Sequence, residues 1–432
     1  MSFNKKVAFY TLGCKVNQYE TESIKNQLIK KGYEEVSFED KADIYIVNSC
    51  TVTSVADRKT RNMLRRAKKI NPNGAVIVTG CYAQTNSKEL LEMEDIDYVI
   101  GNTDKSGIVN FIEDIENRTM EKLKNHNIFL DSEYTEYEFA TLREMSRAYV
   151  KIQDGCNNFC SYCKIPFARG KSRSRQKDNI LREITKLSQE GFKEIILIGI
   201  NLGAYGEDIE NGGNFEDLLK DILKIDGIER IRIGSVYPDK ISDEFIEMFA
   251  NPKLMPHLHI SLQSCDDTVL KRMRRKYGSS LIEERLTKLR KAVPNMEYTA
   301  DVIVGFPGES QEMFQNSCNL IDKIGFSGLH IFQYSDRENT LASTFEDKID
   351  PKVKKERADE LEKLKEIMEE RERKKYLDRE LKVLVEEEKD GYLYGYSENY
   401  LRVKFKGKAT SLNHIVSVKI DSLEKEMLIG NE

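Results

Sequence analysis

The chain has 432 residues, 39% hydrophobic and 33% charged, with a formal net charge of -5. That length allows two to four domains with sizeable cores, and the acidic balance excludes indiscriminate nucleic-acid binding while leaving local basic stripes free to read RNA. No signal-peptide core opens the sequence, no apolar run is long enough to span a membrane, and eight cysteines in so long a chain do not make a secreted disulfide scaffold. The expectation is a cytoplasmic protein in a reducing compartment, with no membrane partner.

Residues 1 to about 115 contain three apolar runs that each end in cysteine: Val7 to Cys14, Asp43 to Cys50 and Gly74 to Cys81. Each reads as a buried strand, and amphipathic helices are expected between them near Glu20–Lys31 and Val55–Ile70. Tyr98 to Gly101 offers a fourth strand. Such alternation predicts an α/β domain with a doubly wound parallel sheet, whose sites form outside the carboxyl ends of the strands. Cys14, Cys50 and Cys81 should therefore converge as a three-thiol metal site; the plainer reading is three ordinary core cysteines. The helix after Cys50 carries Arg58, Lys59, Arg61, Arg65, Arg66, Lys68 and Lys69, a face suited to RNA phosphates or simply to water.

From Arg147, strands and helices alternate for about two hundred residues. Strands are expected at Ala148–Gln153, Glu194–Ile200, Ile231–Val236, His257–Leu262, Tyr298–Val304 and Gly328–Phe332, with five helices between them. Six β/α units predict an open barrel, whose chemistry sits at the C-terminal strand ends. The loop after the first strand, D-G-C-N-N-F-C-S-Y-C-K-I-P, places Cys156, Cys160 and Cys163 at C-x3-C-x2-C spacing. Cysteine sulfur selects zinc or iron–sulfur clusters, and a [4Fe-4S] cluster normally takes four cysteines. Three leave an open coordination position, the mark of a catalytic site. A structural zinc knuckle with a fourth ligand from elsewhere is the alternative. Arg169 to Arg175 and Lys271 to Lys276 are basic patches near the same face, which points to RNA contact through Arg173, Arg175, Arg274 and Arg275.

Pro351 to about Lys375 reads as an amphipathic helix with Leu361, Leu364, Ile367 and Met368 on one face. Five short strands follow, near 381–386, 392–397, 401–405, 415–420 and 427–429, and suggest a small antiparallel barrel. Its tip interleaves Tyr396, Tyr400 and Arg402, as an RNA-binding surface would. The domains are expected at 1–125, 140–350, 351–375 (a helical connector) and 376–432.

The Cys156–Cys163 loop resembles the cluster-binding loop of radical S-adenosylmethionine (radical SAM) enzymes. T-L-G-C-K-V-N-Q-Y-E-T-E, V-N-S-C-T-V-T and V-T-G-C-Y-A-Q resemble the N-terminal domain of the methylthiotransferase branch, and the C-terminal barrel resembles the TRAM domain. The resemblance implies two [4Fe-4S] clusters, one at Cys156, Cys160 and Cys163 and one at Cys14, Cys50 and Cys81. It also implies an S-adenosylmethionine pocket using Gly199, Asn201, Gly203, Gln263, Asp301 and Gly305. The segment around Cys14 looks most like enzymes that insert a methylthio group at C2 of N6-threonylcarbamoyladenosine beside the tRNA anticodon, by SAM-derived radical hydrogen abstraction and sulfur transfer. Implied partners are the anticodon stem-loop of tRNA, an electron donor such as flavodoxin or ferredoxin, and a sulfur source. Methylthiolation of N6-isopentenyladenosine and a non-catalytic, metal-stabilised RNA-binding protein are the alternatives. One departure stands out: Cys265 occupies the position after Gln-Ser where relatives usually have glycine. It is either a filler or, if the backbone needs a positive φ there, a source of strain. Cys318 reads as core, and no role falls to the five scattered histidines.

Overall fold

The structure is a computed structural model that describes residues 5–116, 121–137, 146–210 and 213–432. In the first domain, β1 (Lys6–Thr11), β2 (Glu34–Val36), β3 (Ile44–Ser49), β4 (Ala75–Gly80), β5 (Tyr98–Ile100) and β6 (Leu123–Lys124) form one parallel sheet in the order β2-β1-β3-β4-β5-β6. Alternate residues face opposite ways: Ala8, Tyr45, Val47, Val76 and Val78 pack one core, and Val7, Ile44, Ile46 and Ile77 the other. Helices α1 (Lys15–Lys30), α2 (Ser54–Ile70), α3 (Cys81–Thr85), α4 (Ser87–Leu91) and α5 (Ile108–Glu116) complete the layers. α1 begins directly after Cys14, over a turn earlier than the expected start, because Val16, Tyr19 and Ile24 already supply its buried face. The expected strands and helices are otherwise present in order, and the structure adds α3, α4, α5, β6 and the short edge strand β2, too brief and exposed to leave a periodic signal.

The central domain contains β7 (Arg147–Lys151), β8 (Gln153–Asp154), β9 (Arg173–Ser174), β10 (Glu194–Ile198), β11 (Arg230–Ile233), β12 (Ser235–Val236), β13 (His257–Gln263), β14 (Glu297–Val304) and β15 (Gly328–Gln333). Two parallel sheets, β11-β10-β7 and β12-β13-β14-β15, make the wall of an open barrel. The expected single strand over Ile231–Val236 is interrupted at Gly234, whose N–H turns back to the Leu197 carbonyl at 2.9 Å, so the third strand hands the wall from one sheet to the other. Helices α6 (Ile165–Arg169), α7 (Lys177–Gln189), α8 (Phe215–Leu223), α9 (Asp243–Met248), α10 (Asp267–Arg272), α11 (Ser279–Ala292) and α12 (Gln311–Ile324) follow the strands. One core, built from Val150, Leu197, Ile231, Leu258, Ala300, Phe314 and their neighbours, fills the space between wall and helices.

Helix α13 (Pro351–Lys374) starts with proline behind an Asp350 cap and packs Leu361 and Met368 on that core. Then β16 (Glu380–Lys389), β17 (Tyr392–Ser397), β18 (Arg402–Lys406), β19 (Ile415–Glu424) and β20 (Met427–Asn431) close into a barrel around Val383, Val403, Phe405, Val418 and Leu428. Closure removes every free sheet edge from this small module. Among the described residues, no helix is long and apolar enough to cross a membrane.

Candidate active site between two cysteine trios

β1, β3 and β4 are neighbours in the sheet, and Cys14, Cys50 and Cys81 follow their carboxyl ends. Gly13, at φ +102°, makes the approach possible: a Cβ there would lie 2.9 Å from the Cys50 Cβ and 3.0 Å from its sulfur. Cys50 and Cys81 are buried, while Cys14 opens to a cavity. Burial, then the neighbouring Cys81, pushes the Cys50 thiol up to about 12, and burial raises Cys14 as well.

The second trio is shaped by its own loop. The Cys156 N–H donates to the Gly170 carbonyl (3.1 Å), Cys163 N–H to Cys160 O (2.9 Å), and Ser161 binds the Arg272 and Met273 carbonyls of the next basic segment. Gly155 (φ +69°) permits this fold, since a Cβ would fall 1.8 Å from the Lys171 carbonyl oxygen. Burial, then Cys160, pushes Cys163 up to about 12. Cys14, Cys50, Cys156 and Cys163, all raised, thus resist becoming thiolates without a compensating cation, which a metal group supplies.

The donor chemistry fits iron–sulfur clusters better than single zinc ions. Sulfurs on one tetrahedral zinc, at about 2.3 Å each, stand about 3.8 Å apart. Among the described residues, the group of three His, Cys, Asp or Glu gathered within 4.8 Å is a different one, His259, Asp301 and His330. Cys265 and Cys318 complete neither trio: both belong to the barrel core, Cys265 donating its N–H to Ser317 Oγ at 3.1 Å. Cys265 is also free of the strain considered for it, because the left-handed residue of its loop is Gln263, at φ +68°.

Cys156, Cys160 and Cys163 line a cavity of about 220 Å³ together with Tyr162, Tyr237, Ser261, Gln263, Arg275 and Asp301. Cys14 and Cys50 line a larger one of about 780 Å³. The two adjoin at Val52, Thr53, Asp301 and Phe332, which line both. The sequence left the histidines without a role, but β13 and β15 bring three to the larger cavity. His259 Nε2 and His330 Nδ1 both donate to Asp301 Oδ1, at 3.2 and 3.1 Å, and His257 shares Thr299 Oγ1 with His259. Burial opposes ionisation of Asp301, but the two imidazole hydrogen bonds outweigh it and hold the carboxyl below its usual range. His259 and His257 alternate along β13, a signal that period-two reading contained and that a search for catalytic motifs passed over.

A buried charge cluster joins the two trios. Glu20 on α1 binds Lys105 (2.6 Å), Lys151 (2.7 Å) and Arg169 (2.9 Å), and Asp154 binds Lys151 (2.7 Å) and Arg169 (3.0 Å). Arg169 Nη2 reaches Asn17 Oδ1 at 2.6 Å. One chain of contacts therefore runs from the Cys14 turn through Asn17, Arg169 and Asp154 to Gly155 and Cys156.

Of the expected S-adenosylmethionine residues, Gln263 and Asp301 line the smaller cavity and Gly199 the larger. Asn201, Gly203 and Gly305 line neither. Gly203 lies under the Lys240 side chain and Gly305 under Lys354 of α13, so the room these glycines leave is taken by lysine methylenes. The RNA expectation also needs correction at several positions. Arg173 and Arg175 are buried, Arg173 on the Arg169 carbonyl and Arg175 paired with Glu136 and Glu183. Arg275 points inward, 4.9 Å from the Tyr237 ring centroid and 5.6 Å from Tyr277, with Nη2 donating to Tyr162 Oη at 2.7 Å. Its Nε has no partner beside the thiols, an orphan donor that suits an anionic group in the cavity. Tyr396 and Tyr400 stack on each other (4.7 Å) and on Arg147 and Arg232 at the seam with the central domain. Arg274 and Arg402 are exposed. On α2, four of the seven cations are taken by Glu89, Asp95, Glu39 and Asp97, as a solvated face would be.

Residues 6–101 match the family described as Uncharacterized protein family UPF0004, and residues 150–321 match the Radical SAM superfamily. A solved radical S-adenosylmethionine methyltransferase, TsrM from Kitasatospora setae, superposes with a TM-score of 0.59 at 13% identity, covering 79% of this chain and 77% of that one. The barrel and its three-thiol loop define a radical SAM enzyme, the class that uses S-adenosylmethionine and a [4Fe-4S] cluster. The chain is 42% identical to the threonylcarbamoyladenosine tRNA methylthiotransferase MtaB of Bacillus subtilis, over 96% of this chain and 93% of that one. It is 40% identical to MtaB of Aquifex aeolicus (93% and 97%) and 34% identical to a tRNA-2-methylthio-N(6)-dimethylallyladenosine synthase of Fusobacterium nucleatum (99% and 99%). The chain belongs to the radical SAM tRNA methylthiotransferase family.

Proposed function

We propose that this chain inserts a methylthio group at C2 of N6-threonylcarbamoyladenosine next to the tRNA anticodon. The observation that carries the reading is that Cys156, Cys160 and Cys163 line one cavity, Cys14 and Cys50 of the other trio line the adjoining one, and Asp301 lines both. When bound, a [4Fe-4S] cluster with S-adenosylmethionine at one trio supplies the radical that abstracts an unactivated adenine hydrogen, and a second [4Fe-4S] cluster at the other supplies the place for sulfur. Cys156, Cys160 and Cys163 would hold the first cluster and leave one iron open; Cys14, Cys50 and Cys81 would hold the second. Gln263, Ser261 and Tyr237 would bind S-adenosylmethionine through their polar groups, with Arg275 donating to its carboxylate. Asp301, fixed as an anion by His259 and His330, is suited to the cofactor's cationic or hydroxyl groups. Exposed Arg402, over the half-buried Tyr394 ring and beside half-buried Lys404, would offer RNA a cation–aromatic strip on the C-terminal barrel, in the manner of a TRAM domain. An electron donor such as flavodoxin or ferredoxin and a sulfur source complete a cytoplasmic reaction.

The test begins with iron and acid-labile sulfide after anaerobic reconstitution, on wild type and on Cys156→Ala/Cys160→Ala/Cys163→Ala. About eight irons falling to about four is expected; zinc without sulfide would overturn the reading. Wild type is then supplied with S-adenosylmethionine, reductant, sulfide and an anticodon stem-loop bearing N6-threonylcarbamoyladenosine. Mass spectrometry of the nucleosides should show the methylthio product.

A further inference from the structure

The larger cavity has a cationic end that the chain's own carboxylates do not balance. Arg147, Arg230 and Arg232 converge on Glu194, with Arg232 Nε at 2.8 Å, Arg230 at 3.5 Å and Arg147 at 3.8 Å. Glu386, 2.9 Å from Arg147, is the second carboxylate. Glu398, which acts electrostatically on Arg230, is a third, so the three guanidiniums, of which Arg232 lines the cavity, are matched by three carboxylates. Lys15, the residue after Cys14, adds an ammonium to the same end: it lines the cavity with Arg232, His257 and Tyr400.

Lys15 has neither an ion pair nor a hydrogen bond among the described residues. Its Nζ stands 5.8 Å from the ring centroids of both Tyr149 and Tyr400. Lys15 is solvent-exposed and lines a concave site that also presents Val16, Ile196, Ile198 and Ile233. An ammonium left there without a carboxylate is free to donate to a ligand that brings the opposite charge. The cavity's other end holds Asp301, whose Oδ1 accepts from both His259 and His330. The cavity is polarised: anionic toward the Cys156 loop, cationic toward Lys15. Its volume of about 780 Å³ is in the range that holds a substituted nucleoside.

We propose that Lys15 is a specificity residue: it binds the carboxylate of the threonyl group on the substrate's N6, and so selects an anionic nucleoside over one with a neutral substituent. The assignment rests on the substrate reading above and adds the residue that reads the charge. A neutral isoprenoid chain in the same place would leave Lys15 unpaired.

The test compares equilibrium binding of three anticodon stem-loops to the reconstituted holoenzyme by fluorescence anisotropy. One bears N6-threonylcarbamoyladenosine, one its threonine carboxamide, which keeps the shape and removes the charge, and one N6-isopentenyladenosine. Wild type should prefer the carboxylate to the carboxamide by about tenfold, the worth of one charge-assisted hydrogen bond. Lys15→Gln should bring that preference below about threefold by weakening the carboxylate alone, and Lys15→Arg should keep it. Lys15→Gln that keeps the preference, weakens both probes alike, or loses iron would overturn the assignment, the last by showing that Lys15 serves the Cys14 site instead. A wild type that methylthiolates the threonylcarbamoyl stem-loop without preferring its carboxylate overturns Lys15 alone. A wild type that methylthiolates only the isopentenyl stem-loop overturns the substrate reading, and Lys15 with it.

Discussion

Cys156, Cys160 and Cys163 occupy one loop, held in shape by that loop's own backbone hydrogen bonds to Gly170 and Met273. Cys14, Cys50 and Cys81 stand after three strands and meet only because β1, β3 and β4 pair in register. The first trio depends on a few residues of loop geometry; the second depends on a whole sheet. A perturbation of the first domain should therefore empty the dispersed site before the local one.

The contact that most directly binds the two is Arg169, which holds Glu20 and Asp154 and reaches Asn17. Arg169→Ala would leave two buried carboxylates with lysines alone, a loss of about 3–5 kcal/mol for a broken buried pair. Urea unfolding should show that loss, and reconstituted protein should give up iron at the Cys14 trio first. Unchanged stability would mean that the sites are mechanically independent.

Glu297 offers a loss of similar size far from both trios. Burial raises its carboxyl from 4.5 to about 7, against the hydrogen bond donated by Tyr376 Oη at 2.6 Å. The folded state therefore holds a proton that the unfolded chain has released. Its stabilisation is complete below about pH 4.5 and is lost as pH rises through 7, by about 3 kcal/mol. Glu297→Gln should flatten that part of the stability curve while iron content stays constant at both trios. A pH-dependent iron content that the substitution abolishes would show that global stability, and not local geometry, decides occupancy.

The difference between the trios also explains what the sequence revealed. C-x3-C-x2-C is visible as spacing, and the other trio was legible because all three cysteines close β-strands, whose ends a parallel sheet must align. The alternation that made β13 readable as a strand also carried His257 and His259, but nothing local tells which strand neighbour will present Asp301 or His330. Arg175 and Arg275 show the opposite failure. Clustered arginines look like a surface patch in sequence, and only packing reveals that Glu183 and a box of tyrosines take them inside. Gly203 and Gly305 misled for a related reason: the room beside a glycine can admit a ligand or a lysine stem.

A smaller effect, paired across the sites, sharpens the comparison. Gly13→Ala places a methyl 2.9 Å from the Cys50 Cβ at a φ of +102°. Strain of about 1–3 kcal/mol is expected, with iron falling from about eight to about four per chain. Gly155→Ala should do the reverse, emptying the loop trio and sparing the sheet trio. If either substitution empties both, the trios assemble as one unit.

Arg402→Ala should have the least effect and should leave both trios filled. Its guanidinium is exposed, 3.5 Å from Glu387 and stacked near Tyr394, so its loss should cost stability less than about 1 kcal/mol. Affinity for the stem-loop should weaken by about two- to fivefold, with a shallower salt dependence because one phosphate contact is lost. The contrast with Tyr400, on the same barrel, makes this informative. Tyr400 lines the larger cavity and packs on His257 at 4.8 Å, so its truncation should disturb the cavity as well as binding. If Arg402→Ala leaves both affinity and salt slope unchanged, the barrel serves this chain by closing the cavity with Tyr400 and not by holding RNA.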